Sequence, residues 1–269
     1  MGKDEGVEQT ALLFGFRHVQ DIEYSHYGTP ILSSIFHTAQ KVAKYDILAY
    51  INADIILSPN LLNAVDKALK KWKRFALFSS PKISNYDAID LSSNIPIYLQ
   101  ASNHIMRDAT PSGTDVFVFT RGVYKNIPPF RLGKRWWDTW LMGDVVFRGI
   151  PAVDATEYAS AYHPYDIRST HIHDFMQKSE KEQIEIELMG DNYLKEVKLN
   201  MSLMREWYII HRVNLPYVIT KCGLIMKNKN STSTIRLRWL YLMNKTYHLR
   251  RKLGLYRWWK PTTQRHHLE

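Results

Sequence analysis

Cysteine is almost missing from this chain: Cys222 stands alone among 269 residues. A single thiol forms no intramolecular disulfide and no cysteine-based zinc site, and a reducing compartment is the simplest setting for such a sequence. Long apolar runs are missing as well. No uninterrupted stretch reaches the roughly 20 residues that cross a bilayer, so the expectation is a chain that is soluble or held at a surface. The opening Met1-Gly2-Lys3-Asp4-Glu5-Gly6 lacks the apolar segment of a signal peptide, and Gly6 stands where a myristoylation signal needs Ser or Thr. Acidic residues are missing from one region only. Between Lys227 and Arg265 every charged residue is basic, so the formal charge of +10 belongs to the C-terminal part and the rest is close to neutral. Basic stretches with interleaved aromatics can bind nucleic acid, but no nucleic-acid motif accompanies this one and no such partner is expected.

What is present is an ordinary folded composition, 45% apolar and 23% charged, in a chain long enough for one large α/β domain with an appendage. The stretch Tyr45 to Leu57 organises it. Its apolar run Ile47 to Ile51 is short and does not alternate, which reads as a strand buried on both faces, and it breaks off at Asn52-Ala53-Asp54. In open α/β sheets ligands bind at the carboxyl ends of strands, so Asp54 stands where a metal or a phosphate-bearing substrate is expected. An Asp that starts a turn, or caps the helix after Ser58-Pro59, is the other reading.

Before that strand, a helix is expected over about Glu5 to Leu13, closed by Gly15, and then a short strand through His18-Val19. Thr29 as N-cap and Pro30 at the first helical position predict a helix to about Lys44, with Ile31, Ile35, Ala39 and Val42 on its buried face. Ser58-Pro59 repeats the signal, with Leu61, Leu62, Val65 and Leu69 as the buried stripe and Lys67, Lys70, Lys71 and Lys73 in water. A strand at Phe75 to Phe78 completes a strand-helix-strand unit and predicts a parallel sheet. Residues 80–112 show no clear period and read as long loops with one short helix. Val116 to Phe119 is a strand, a helix runs from about Asp138 to Gly149, and strands near Ala152-Val153 and Tyr158 to Tyr162 lead to His163. Lys178 to Val213 reads as two helices broken at Gly190, with Leu203, Trp207 and Ile210 on one face and Met201 and Met204 as core filler.

Four blocks in order are Gly28-Thr29-Pro30, Asn52-Ala53-Asp54-Ile55, Ser112-Gly113-Thr114-Asp115 with the strand Val116 to Phe119, and Ile127-Pro128-Pro129-Phe130-Arg131-Leu132-Gly133 leading to Trp137-Asp138-Thr139-Trp140-Leu141. Over roughly residues 1–175 this set resembles the GT-A-fold glycosyltransferases of the family-2-like, nucleotide-sugar-dependent kind. The resemblance implies an α/β fold with a mostly parallel sheet flanked by helices, and transfer of a sugar with inversion, assisted by a metal, from a nucleotide sugar to a saccharide or glycolipid acceptor. It implies Mn2+ or Mg2+ held by Asp54 with His163 completing the site, Asn52 and Asp54 on the donor side, Asp138 as catalytic base, and Asp115, Trp137 and Trp140 near the acceptor. His171 and His173 could exchange roles with His163. The family usually has Asp where this chain has Asn52, and its first βα unit precedes anything matched here.

For each residue a plain structural role stands beside the functional one. Asp138 could be an N-cap, Trp136, Trp137 and Trp140 could pack the core, and Arg131, Lys134 and Arg135 could be a solvated loop or a contact for a diphosphate or an acidic acceptor. Two other functions stay open at this point: a nucleotidyltransferase, which needs a glycine-rich basic first loop that is not visible, and a non-catalytic membrane-associated remnant. The expected organisation is a catalytic domain over 1–175, a helical extension packed on it over 176–215, a basic aromatic tail over 216–267, and a vector scar at 268–269. The expected location is the cytoplasm, with the tail able to hold the chain on an anionic membrane face.

Overall fold

The computed structural model describes residues 1–107, 113–165, 191–204, 215–220 and 223–226. Its helices are α1 (Val7–Leu13), α2 (Leu32–Val42), α3 (Asn60–Leu69), α4 (Ile97–Asn103), α5 (Trp137–Phe147) and α6 (Asp191–Met204), with a 3-10 turn at Tyr86–Ala88. The strands are β1 (Ile47–Ile51), β2 (Ile56–Leu57), β3 (Ala76–Ser79), β4 (Pro81–Ser84), β5 (Ile105–Arg107), β6 (Val116–Thr120), β7 (Ala152–Asp154), β8 (Ala161–Pro164), β9 (Tyr217–Thr220) and β10 (Gly223–Met226). They form two mixed sheets, ordered β1-β6-β3-β7-β9-β10 and β2-β8-β4-β5.

The α/β class is as expected; the mostly parallel sheet is not. β1 and β3 point the same way, but β6 lies between them and pairs antiparallel to both, Leu48 with Phe119 on one side and Leu77 with Val118 on the other. The parallel pairs in the large sheet are β3 with β7 and β7 with β9. A buried apolar run carries no mark of direction, which is why Val116–Thr120 gave no warning. Residues 80–107, expected as long loops with one short helix, hold that helix as α4 and also β4 and β5, strands too short for a period to show. The expected tail boundary at 216 cuts through the large sheet, because β9 and β10 extend it beyond β7.

Two apolar layers cover the large sheet. Leu32 and Phe36 of α2 and Trp137, Trp140, Leu141 and Val145 of α5 pack with Phe78, Phe117 and Phe119 on one face. Leu61, Ala64 and Ala68 of α3 pack with Phe75, Leu77, Val116 and Val118 on the other. The α3 stripe differs from the expected one: Leu62 is 74% exposed and Leu69 41%, whereas Ala64 and Ala68 are fully buried. Likewise α2 starts at Leu32, not at Pro30, and Ile31, not Thr29, is its N-cap; Thr29 turns its hydroxyl to Glu196 of α6 instead. No strand forms at His18-Val19, although Val19 accepts a backbone bond from Gly2 at 3.0 Å. The last strand of the small sheet runs Ala161–Pro164, not Tyr158 to Tyr162. Met204 is buried as expected, and Met201 is 48% exposed. Trp207, Ile210, His171, His173 and the tail beyond Met226 lie outside the described residues.

Candidate active site

β1 ends where its apolar residues end, and the chain turns at Asn52 to start β2 four residues later. This turn faces the start of β6. Asn52 donates its backbone N–H to the carbonyl of Asp115 at 3.2 Å and its side-chain amide to Asp115 Oδ1 at 2.7 Å. An Asp at position 52 would set two carboxylates at hydrogen-bond distance, so the amide is matched to Asp115. That pairing gives a physical reason for Asn where the resembled family has Asp.

Asp54, two residues on, meets His163 from β8, Oδ2 to Nε2 at 3.2 Å. The two are 109 residues apart in sequence and are brought together by the antiparallel pairing of β2 with β8, in which Ile56 lies opposite Tyr162. Tyr86 pins the turn: its hydroxyl donates to Tyr162 O at 2.6 Å, accepts from the N–H of Ile56 at 3.3 Å, and lies 3.2 Å from the carbonyl of Asp54. Burial, outweighing the bond from Ile56, pushes the Tyr86 phenol up to about 12. His163 Nδ1 lies 2.8 Å from the carbonyl of Pro164. A carbonyl only accepts, so Nδ1 carries the hydrogen, and a neutral ring then turns the lone pair of Nε2 toward a carboxylate oxygen. That arrangement calls for a positive charge between the two atoms, either a proton or a cation. Burial lowers the pKa of His163, but the Asp54 hydrogen bond, the Pro164 carbonyl and the charges of Asp54 and Asp115 outweigh it and leave the pKa raised.

Does the pair fit a divalent ion? Two ligand atoms at a right angle around an ion bonded at roughly 2.0–2.1 Å lie on the order of 3 Å apart, close to the observed separation. The Pro164 carbonyl orients the ring as outer partners of metal-bound histidines do. Among the described residues no group of three His, Cys, Asp or Glu side chains converges at ligand spacing. The fit is therefore to an ion held by two side chains and completed by substrate oxygens and water, the usual pattern for magnesium-like ions on phosphates.

Asp138 approaches from α5. It lies in the first turn of that helix, two residues after the N-cap Trp136, so it is not itself the N-cap. Burial is the main influence on its carboxyl, which also accepts from the N–H groups of Thr139, Asp138 and Thr114; with the charge of Asp115 opposing ionisation, the pKa is raised to about 7. Asp115 thus stands between the two halves of the site, bonded to Asn52 and close enough to Asp138 to oppose its ionisation.

The expected acceptor platform is corrected. Trp137 and Trp140 are 8% and 3% exposed. Trp137 packs on Tyr50 and Phe117, each with ring centroids at 5.5 Å, and Trp140 packs on Phe130 at 5.8 Å. Both rings are core, with no open face for a sugar. Lys134, expected in a loop exposed to water or phosphate, is buried with its ammonium 4.5 Å over the ring of Tyr193.

Two site features were not foreseen. Tyr50, on β1, has a phenol raised above its ordinary value by burial and then by the charges of Asp115 and Asp54, which places it beside both; its position two residues before Asn52, on the same strand face, was the available signal. Trp136 has φ 88, the sole left-handed backbone outside glycine among the described residues. Nothing in a Trp-Trp pair announces this. A separate groove of about 400 Å³ lies along α2, lined by residues including Asp21, Glu23, His37 and Lys125 and by none of the residues above.

No protein family, curated protein or solved structure matches this chain.

Proposed function

We propose that this chain transfers a sugar from a nucleotide-sugar donor to a saccharide or glycolipid acceptor, with inversion at the transferred carbon. The observation that carries the reading is the gathering of Asp54 with His163, Asn52 with Asp115, and the desolvated carboxyl of Asp138 around the carboxyl end of β1. In this reading Asp138 is the general base. It takes the proton of the acceptor hydroxyl as that oxygen bonds to the sugar's anomeric carbon and the bond to the donor diphosphate breaks on the opposite face. A base with a pKa near the working pH combines a useful fraction in the ionised form with a strong pull on the proton, and about 7 meets that requirement. Asp54 and His163 would hold the Mn2+ or Mg2+ ion, which supplies charge neutralisation for the departing diphosphate. Asn52 and Asp54 would line the donor side, and Asp115 would face the acceptor while its charge holds up the pKa of Asp138.

The test is a panel of nucleotide sugars with and without added manganese, read by calorimetric binding and by release of the nucleoside diphosphate. Metal-stimulated binding lost in Asp54→Ala, and diphosphate release lost in Asp138→Asn with binding retained, is the expected pair of results. Absence of binding to every donor would overturn the proposal and leave a non-catalytic role.

A further inference from the structure

The buried positions of α6 are Tyr193, Glu196, Asn200 and Met204, three to four residues apart and so on one face of the helix. The two in the middle are polar and fully buried, which is costly unless every group finds a partner. Glu196 accepts from the hydroxyls of Ser25 and Thr29. Asn200 spends its whole side chain on one turn of backbone. Its Oδ1 accepts from the N–H of Arg131 at 2.8 Å, and its Nδ2 donates to the carbonyls of Arg131 at 3.0 Å and Arg135 at 3.2 Å.

The second carbonyl is the informative one, because it belongs to the peptide that enters Trp136. The peptide leaving Trp136 is held as well: its carbonyl accepts from the Thr139 hydroxyl at 2.9 Å and from the Trp140 N–H at 3.0 Å. The angles φ 88 and ψ −17 of Trp136 are the relation between those two peptide planes. A bulky residue in that conformation is strained and persists only where its surroundings hold it. The N-cap makes no side-chain bond of its own. Asp138 follows two residues later.

We propose that Asn200 is a positioning residue: by gripping the Arg131 to Arg135 backbone from α6 it holds the entering peptide of Trp136, and so sets where the first turn of α5 delivers the Asp138 carboxyl. The proposal rests on the reading of Asp138 as base. Its consequence is that α6, remote in sequence from every candidate site residue, is part of the site's support.

The experiment compares Asn200→Ala with Thr29→Val in the full chain. The second variant loosens the docking of α6 at Glu196 without touching the gripped turn. The readout is the titration of the Asp138 carboxyl, followed by carbon NMR with the Asp138→Asn spectrum for assignment, beside a thermal melt; no donor is needed. The carboxyl is faced by Asp115 and by the N–H groups of Thr114 and Thr139, none of which either variant removes. In Asn200→Ala the turn relaxes, water reaches the carboxyl, and its midpoint falls from about 7 toward the ordinary carboxylate range. In Thr29→Val it stays. Where Asn200→Ala does not fold, Asn200→Ser, which keeps one donor for the two carbonyls, gives a shift of the same sign. An unmoved midpoint in the folded variant, or an equal shift in Thr29→Val, overturns the proposal. Failure of the base reading shows elsewhere, as parental turnover in Asp138→Asn, so the two cannot be confused.

Discussion

A carboxyl with a raised pKa has consequences that a helix cap does not. Asp138 must be ionised to act as a base, so turnover should rise with pH through about 7 and level off above it. Its effect on stability has a definite sign. Between the unfolded value of about 4 and the folded value near 7 the native state holds a proton that the unfolded chain has released, so this group's contribution falls as pH rises through that window. Asp138→Asn removes both effects. Turnover should drop roughly 10²-fold or more, while the variant melts at or above the parent's temperature at about pH 8. Melting curves at several pH values beside initial rates decide it: a variant that keeps the parental rate removes Asp138 from the mechanism, whatever its melting temperature. His163 titrates in the same sense. Its raised pKa makes the bond to Asp54 contribute fully below about pH 6.5 and less as pH rises beyond it. In metal-free buffer the stability lost in His163→Gln should therefore be larger at about pH 6 than at about pH 8, and chemical denaturation at the two values reads it. The residue types at these positions were legible from sequence, because carboxylates at strand ends are conspicuous. The resemblance had already set Asp54 beside His163, but the partner of Asn52 was not legible, because its bond to Asp115 joins two strands far apart in sequence.

At the scale of single elements, α3 shows how burial chooses between similar residues. Its sequence offers large apolar side chains at Leu62 and Leu69, yet the face toward the sheet carries Ala64 and Ala68 at 0% exposure, packed in the layer that holds Phe75, Leu77 and Val118. Small residues let the helix approach the sheet closely, and the tight interior leaves no room for more volume. Ala68→Leu should destabilise the protein by about 1–3 kcal/mol, whereas Leu62→Ser should stay within roughly 0.5 kcal/mol of the parent; urea unfolding of the two separates the register seen here from the expected one. α5 makes a related point. It is apolar on nearly all sides, with Trp137, Trp140, Leu141, Met142, Val145 and Val146 buried, so its amphipathic period is weak and its tryptophans serve the core. Trp137→Ala should cost about 3–5 kcal/mol of stability as a core truncation, a loss that an acceptor-stacking ring would not produce.

For the molecule as a whole, no described helix is long and apolar enough to cross a membrane. The basic segment from Lys227 to Arg265 is expected to hold the chain at an anionic surface, where each Lys or Arg contributes roughly 1 kcal/mol and interfacial aromatics add to that. The structure moves the place to cut. Ending the chain near Pro216 would remove β9 and β10 and expose β7, so the informative truncation ends at Met226. The intact protein should float with phosphatidylserine vesicles and the truncated form should sediment; equal flotation would end the idea.

By itself the sequence determined the local things: that Ile47 to Ile51 is a strand, though it lies half-buried at the edge of the sheet and is not buried on both faces as expected, that helices precede and follow it, that a carboxylate stands at its end, and that the basic charge lies at one end of the chain. Each follows from residues within a few positions of one another. Only the tertiary structure decided that β6 runs antiparallel between β1 and β3, that residues 80–107 build part of a second sheet, and that Trp137 and Trp140 are core. It also decided that Asn200, 62 residues after Asp138, holds the turn on which Asp138 depends. The physical reason is common to all four. A side chain's own chemistry says what it needs, a partner or a dry surface, but which of the chain's many candidates supplies it depends on contacts between residues far apart, and these exist only once the sheets are assembled.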